Sequence, residues 1–249
     1  MNLEIIHSRP LLSVIIPAYN ELRTIEEALQ RVFDVCIDKQ IIVVDDGSDD
    51  GTADVLKKWA SAGRIELLMH DRNCGKGSAI RTALVRAQGT YTIIQDADLE
   101  YDPHDYTALL ELLLRLEADV VYGSRYSCSD LTNPDPNWVL RGGVRLLNWT
   151  VRMLYGVQLS DEATCYKVFP TDLLQKLDLK CEGFEFCPEV TAKICRLGLR
   201  IKEVPISYRR RTYRAGKKLR ARDGLTAMQV LWRLRNWEPT TVEAITRPR

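Results

Sequence analysis

The stretch Tyr91-Thr-Ile-Ile-Gln95-Asp96-Ala97-Asp98-Leu99-Glu100-Tyr101-Asp102-Pro103 runs from an apolar strand straight into a row of acids. β-Branched and aromatic residues such as Tyr91 to Ile94 suit a buried strand. Asp96, Asp98, Glu100 and Asp102 then fall at every second position. Carboxylates at i and i+2 just past a strand end can converge on one hard cation, Mg²⁺ or Mn²⁺, of the kind that also bridges to phosphates. The competing reading is a solvated acidic turn closed by Pro103. In the cation reading Asp96 and Asp98 carry the site, and Asp102, next to Pro103, is a helix cap.

Working outward, the chain alternates strand and helix. Strands are expected at Leu11 to Pro17, Gln40 to Val44, Ile65 to Met69 and 91–95, with helices at Thr24 to Phe33, Thr52 to Ala62 and Gly77 to Ala87. This alternation predicts an α/β fold, a mainly parallel sheet flanked by helices. In such sheets ligands bind beyond the carboxyl ends of the strands. The polar clusters Asn20-Glu21, Asp45-Asp46, Asp71 to Lys76 and Asp96 to Asp102 all follow strands. The first strand lacks a G-x-G-x-x-G, so a Rossmann dinucleotide site is not expected. Gly75-Lys76-Gly77 lacks the Ser or Thr and the earlier Gly of a P-loop. A phospho-receiver reading of Asp45-Asp46 fails on the extra length and the second acidic site.

Downstream, a helix is expected from Asp105 to Glu117, a strand from Asp119 to Tyr122, and a polar loop from Ser127 to Asn137. An amphipathic helix from Leu140 to Tyr155 is read with Trp149 and Met153 on or near its apolar side. A further helix runs from Glu189 to Leu197. Arg209, Arg210, Arg211, Arg214, Lys217, Lys218, Arg220 and Arg222 follow with no acid among them. So dense a basic run around Gly216 suits a phosphate or an anionic surface; a solvated loop is the alternative. Leu225 to Trp237 forms a last amphipathic helix, suited to a membrane surface or to docking on its own domain.

The chain has 249 residues, 45% of them hydrophobic and 28% charged, with a net charge of +1. That is ordinary for a globular protein and gives no bulk drive toward nucleic acid. No apolar run approaches the roughly 20 residues of a spanning helix. The N-terminus does not resemble a signal peptide. The seven cysteines form no C-x-x-C pair, so buried reduced thiols in a cytoplasmic protein are expected.

Taken together, Ser13-Val-Ile-Ile-Pro-Ala-Tyr-Asn-Glu21, Val43-Val-Asp-Asp-Gly-Ser-Asp-Asp-Gly-Thr52, Asn73-Cys-Gly-Lys-Gly77, Gln95-Asp-Ala-Asp98, Gly123-Ser-Arg-Tyr126, Asp161 to Lys167, Gly183-Phe-Glu-Phe186 with Glu189, and Glu203-Val-Pro-Ile-Ser-Tyr208 resemble family 2 glycosyltransferases of the GT-A fold. They look most like the dolichol-phosphate mannose synthase group of polyprenyl-phosphate sugar transferases. The resemblance covers residues 11 to about 224 in the expected order. It implies a catalytic domain over 1–224, with a nucleotide-sugar half near 11–126 and an acceptor half near 127–224, followed by a helix and tail over 225–249.

By that resemblance Pro17, Tyr19, Glu21, Asp46, Lys76 and Asp96 bind the nucleotide sugar. Asp96 and Asp98 form the D-x-D motif and, with Glu100, hold Mg²⁺ or Mn²⁺. Arg125 lies near the diphosphate or the acceptor phosphate, and Arg209, Arg211 and Lys217 meet the acceptor phosphate. Asp98, Asp161 and Arg125 form the catalytic set. Two positions depart from the family pattern: Glu100 where many relatives carry Gln or Asn, and Ala163 before Thr164, with Glu162 one place earlier.

The implied activity is inverting transfer of a mannose- or glucose-type hexose from a GDP- or UDP-sugar to a polyprenyl phosphate. The expected setting is cytoplasmic, peripheral at a membrane face, alone, as a homo-oligomer or with a membrane partner protein. An ionised acceptor phosphate hardly needs a base, so Asp161 is expected to position the acceptor or a basic neighbour. The alternatives are a same-fold transferase with a hydroxyl acceptor, a nucleotidylyltransferase (whose Gly-rich basic loop Pro17 to Leu22 lacks), and a non-catalytic binding subunit.

Overall fold

A computed structural model describes residues 9–126, 138–211 and 221–239. Seven strands form one sheet: β1 (Leu12–Ala18), β2 (Lys39–Asp45), β3 (Glu66–Met69), β4 (Tyr91–Ile94), β5 (Val120–Ser124), β6 (Lys167–Pro170) and β7 (Ile201–Pro205), in the order β3-β2-β1-β4-β6-β5-β7. The helices are α1 (Ile25–Asp34), α2 (Thr52–Ser61), α3 (Lys76–Leu84), α4 (Tyr106–Leu114), α5 (Trp138–Tyr155), α6 (Thr171–Lys176), α7 (Phe186–Arg196) and α8 (Ala221–Arg233).

Helices cover both faces of the sheet, so the central strands read as unbroken apolar runs. Successive side chains point to opposite faces. Ile15, Ile42 and Val44 therefore join α3, α5, α7 and α8 in one core. Val14, Ile16, Ile41 and Val43 join α1, α2 and α4 in the other.

One strand departs from the parallel pattern. β6 runs antiparallel to both β4 and β5, while β1, β2, β3 and β4 pair in parallel, as do β5 and β7. The consequence is geometric. The parallel strands deliver the residues after them to the carboxyl edge, whereas reversed β6 delivers the residues before it, Asp161 to Tyr166. Lys167-Val-Phe-Pro170 is too short and mixed to announce itself as a strand, so its direction had no trace in the sequence pattern.

Two expectations are corrected. On α5 the buried residues are Leu147 and Val151, while Trp149 and Met153 are 59% and 63% exposed. The helix is anchored by the i, i+4 pair rather than by its largest side chains. The cysteines are not uniformly buried either: Cys36 and Cys74 are exposed, Cys181 and Cys187 are buried, and Cys165 and Cys195 lie between. Cys128 is outside the described residues. Helix α8 docks on its own domain through Ala227, Val230 and Leu231, leaving Leu225 and Trp232 exposed. Burying Val230 and Leu231 is worth roughly 1.5–3 kcal/mol each, enough to hold the helix in place.

Buried charges sit beneath the sheet edge, and most are matched. Glu189 and Lys193 pair at 2.7 Å within α7. Lys193 also donates to the carbonyls of Leu177 and Asp178, and Glu189 accepts from the backbone N–H groups of Lys180 and Cys181. Lys167 donates to the carbonyls of Glu162 and Thr164. The Glu162 side chain is less well served: burial pushes its carboxyl up to about 7, against the pull of Lys167.

The folded protein thus holds a proton at Glu162 that the unfolded chain has already lost, and stability falls as pH rises through that window. Glu162→Gln is expected to match the parent near pH ~4.5 and to exceed it above pH ~7 by roughly 3 kcal/mol. Urea unfolding at acid and neutral pH measures this; a difference that does not change with pH contradicts it.

Candidate active site

The carboxyl ends of β1, β2, β4 and β5 open on one cavity of about 440 Å³. Pro17, Tyr19 and Glu21 come from the end of β1, Asp46 from β2, Asp96, Asp98 and Glu100 from β4, and Arg125 from β5; all line it. After β4 the chain turns sharply. Leu99 takes a left-handed φ of 63°, a conformation that costs a branched residue roughly 1–2 kcal/mol. This turn lets the Glu100 N–H donate to Asp98 Oδ1 at 3.0 Å and sets both carboxylates on the cavity side. Asp102 accepts from the His104 N–H and caps the short 3₁₀ turn that begins at Pro103.

The acids are crowded. Burial, then Asp96 and Glu100, push the Asp98 carboxyl up to about 6 against the pull of Arg211. The counter-charges come from the chain itself. Lys76 pairs with Asp96, and this pair outweighs burial, leaving Asp96 lowered and Lys76 raised. Arg211 reaches in from beyond β7. Its guanidinium lies 2.9 Å from Asp98 and 3.0 Å from Glu21, and its backbone N–H donates to Glu100 at 2.9 Å.

The Arg211 guanidinium therefore stands among Glu21, Asp98 and Glu100. These oxygen donors fit a hard divalent cation, and the guanidinium occupies the place that such an ion would neutralise. Asp96, paired with Lys76 rather than with Arg211, is one step removed.

The floor of the cavity is fixed by backbone donors. Asp46 accepts from the Cys74 and Gly75 N–H groups at 2.9 and 2.8 Å and lies 2.6 Å from His70 Nδ1. The far nitrogen of His70 lies 2.9 Å from the Thr82 hydroxyl. Gly75, at φ +96°, lies so close to the next loop that a Cβ would come within 2.3 Å of the Glu182 carbonyl. That approach seats Lys76 at the start of α3. Glu189, by holding the N–H groups of Lys180 and Cys181, supports the other side of the same contact.

On the wall that follows β5, Arg125 is held by Asp161 through both carboxylate oxygens, at 2.7 Å each. Asp161 is fully buried and accepts a third bond from the Arg125 N–H. Glu203, on β7, fixes it in turn by accepting from the Ser160 and Asp161 N–H groups. The guanidinium of Arg125 lies 5.0 Å from the centre of the Tyr208 ring. The Tyr208 hydroxyl donates to Glu100, which ties the departure from the family pattern to the segment that carries Arg211.

Most of the sequence-predicted set meets at this cavity. Arg209 does not: its side chain is exposed, and only its backbone N–H reaches the Glu100 carbonyl. Lys217 lies outside the described residues. Asp161 sits beneath Arg125 rather than in the opening. Several lining residues were not foreseen, among them Cys165, Tyr208, Phe184 and Val144. Tyr208 and Cys165 fall within quoted motifs, but nothing in their spacing says which way they point.

The glycosyl transferase family 2 profile matches residues 13–174. Polyprenol monophosphomannose synthase of Mycolicibacterium smegmatis is 28% identical over 90% of this chain and 85% of its own. A low-salt glycan biosynthesis hexosyltransferase of Haloferax volcanii is 31% identical over 80% of this chain and 48% of its own, so the chain spans about half the length of that relative. Among solved structures, glucosyl-3-phosphoglycerate synthase from Mycobacterium tuberculosis, bound to Mn²⁺, UDP and glucosyl-3-phosphoglycerate, superposes with a TM-score of 0.61 at 20% identity over 89% of this chain and 77% of that one. The likeness in structure gives the GT-A fold. A match that runs from β1 through α6, on a chain whose strand ends converge on one cavity, makes this protein a member of glycosyl transferase family 2.

Proposed function

We propose that this glycosyltransferase moves a mannose- or glucose-type hexose from a nucleotide-diphosphate sugar, GDP- or UDP-linked, to a polyprenyl phosphate, with inversion at the anomeric carbon. The observation that carries the reading is the clustering of Glu21, Asp98 and Glu100 around the Arg211 guanidinium, in the cavity that Lys76 and Arg125 also line. Such a cavity suits a diphosphate with a divalent cation. The name of the mycolicibacterial relative supports the acceptor class.

Pro17, Tyr19, Glu21 and Asp46 would hold the nucleoside, and Lys76 and Arg125 the phosphates. Asp98 and Glu100, joined by Asp96 once Lys76 turns to the phosphates, would hold Mg²⁺ or Mn²⁺, which when bound supplies positive charge for the leaving diphosphate. A phosphate monoester has its second pKa at about 6 and is largely ionised at neutral pH. Its oxygen attacks the anomeric carbon as the bond to the diphosphate breaks, and no proton has to move. Asp161 accordingly acts on Arg125, aiming the guanidinium rather than serving as base. Arg211, once off the acids, is free to meet the acceptor phosphate with Arg209 and Lys217.

The surface suits a lipid acceptor. Leu146, Trp149 and Met153 are exposed along α5, and Trp232 is exposed on α8, which packs on α5. Arg145, Arg152 and Arg233 are exposed on the same two helices. Val144, beside this apolar run, lines the cavity. Apolar side chains among arginines fit an anionic lipid surface, consistent with a peripheral protein at a cytoplasmic membrane face. No helix among the described residues is long and apolar enough to cross a membrane.

The direct test is turnover of GDP- and UDP-hexoses with a short polyprenyl phosphate and Mn²⁺, reading the glycolipid by mass. Transfer to a hydroxyl acceptor alone would overturn the lipid assignment. Asp98→Asn is expected to lower transfer on the order of 100-fold or more and to remove Mn²⁺-dependent nucleotide binding; full metal dependence in the variant contradicts the assignment. Arg211→Gln removes the competing cation, so Mn²⁺ should bind the nucleotide-free protein about tenfold more tightly. Unchanged or weaker Mn²⁺ affinity by calorimetry counts against the stand-in role. Trp149→Ser with Trp232→Ser should reduce sedimentation with anionic vesicles and leave nucleotide binding intact.

A further inference from the structure

Three side chains with metal-binding atoms meet where β2 ends and the loop after β3 begins. One donor atom each from Asp46, His70 and Cys74 lies within 4.8 Å of the other two. Asp46 Oδ1 and His70 Nδ1 are 2.6 Å apart. The backbone holds this cluster in place. The His70 N–H donates to the Asp45 carbonyl at 2.9 Å, and the Cys74 N–H donates to Asp46 Oδ1 at 2.9 Å. Gly47, at φ +73°, lets the loop come this near: a Cβ there would lie 2.6 Å from the Arg72 carbonyl carbon.

We propose that Asp46, His70 and Cys74 form a zinc site in the floor of the cavity, and that Zn²⁺ bound there excludes the nucleoside.

The donor set selects the metal. Imidazole nitrogen, thiolate sulfur and a carboxylate oxygen suit Zn²⁺, whereas Mg²⁺ takes oxygen ligands. This separates the cluster chemically from the oxygens of Asp98 and Glu100. Three protein ligands leave the fourth corner of a tetrahedron to water. His70 is already oriented for the task, because its Nε2 lies 2.9 Å from the Thr82 hydroxyl while Nδ1 faces Asp46. Metal-bound imidazoles are fixed through the other nitrogen in this way.

The protons balance. Zn²⁺ takes the place of the proton between Asp46 Oδ1 and His70 Nδ1. That proton is replaced by one on Nε2, where the Thr82 oxygen accepts it, so the imidazole stays neutral. The Cys74 thiol releases its proton to solvent. Little movement is needed. Zinc bonds of about 2.0–2.1 Å set nitrogen and oxygen roughly 3.3 Å apart, so Asp46 and His70 part by under about 1 Å. Cys74 is exposed, and its thiol donates to the Arg72 carbonyl at 3.3 Å, a weak bond that frees the sulfur to swing. Asp46 keeps the Gly75 N–H on its other oxygen. Asp46, Asn73 and Gly75 line the cavity, so an ion on Asp46 stands where the nucleoside is proposed to sit.

The test titrates the reduced full chain, in Mg²⁺, with Co²⁺, which adopts zinc's geometry and absorbs in the near ultraviolet when a thiolate binds it. A single site per chain is expected, bleached by Zn²⁺. Cys74→Ser should abolish the absorption and Asp98→Asn should keep it. No absorption in the parent, absorption that survives in Cys74→Ser, or its loss in Asp98→Asn overturns the site. Thr82→Val should weaken Zn²⁺ binding on the order of tenfold; unchanged affinity refutes ligation through Nδ1.

For the exclusion, Zn²⁺ at about ten times its dissociation constant should weaken binding of a nucleoside diphosphate roughly tenfold. In Cys74→Ser the same Zn²⁺ should leave that variant's binding where it stood. Equal weakening in the variant and the parent overturns the exclusion. This arm rests on the proposed function, whereas the cobalt absorption does not. A protein that binds no nucleoside diphosphate even without Zn²⁺ refutes the function and leaves the zinc site standing.

Discussion

Carboxylates taken out of water are costly unless cations meet them, and this requirement organises the mouth of the sheet. Glu21, Asp96, Asp98 and Glu100 come from the ends of two adjacent strands. Packing them side by side pushes Asp98 up to about 6. Lys76 and Arg211 restore the balance from opposite sides, one at the start of α3 and one beyond β7. The same electrostatic demand that draws in these side chains would draw in a divalent cation. Among the described residues Arg211 meets that demand at Asp98 and Glu21.

Behind the charged groups lies a layer whose work is to hold position. Glu203 fixes Asp161, which aims Arg125. Glu189 fixes the loop at Lys180 and Cys181, against which Gly75 packs and from which Lys76 is directed. Each of these carboxylates accepts backbone N–H groups from another segment, so it ties chain positions together rather than facing the cavity. Several acids in the recognisable motifs are thus structural in their contacts, and the acids that face the cavity are fewer than the motifs suggest.

The segment before β6 is where these layers meet. It supplies Asp161 under Arg125, Glu162 in the core beside Lys167 of β6, and Cys165 against Lys76. A strand of ordinary direction would have sent these residues to the far edge of the sheet. The outer faces of α5 and α8 follow a different logic. There the chain leaves Trp149, Met153 and Trp232 in solvent because Leu147, Val151, Val230 and Leu231 already anchor the helices.

Much of this was legible in the residues alone. Apolar runs with turn and cap signals located β1 to β5, α1 to α5, α7 and α8, because a strand buried on both faces and a one-faced helix leave distinct periodicities. The acidic stretch after β4, Asp46, Glu21 and Lys76 could be assigned to one edge, because parallel strands send their trailing loops to the same side; Arg125 joined them only through the family resemblance. Tertiary structure decided the rest. The reversal of β6 has no periodicity of its own, since direction is set by its neighbours' hydrogen bonds. The placing of Arg211 on Asp98, of Tyr208 on Glu100 and of Cys165 beside Lys76 depends on segments distant along the chain coming together in space. Sequence thus determined which charges exist and which strand ends carry them. Only the folded chain decided which of them neutralise one another, because that depends on distance and burial.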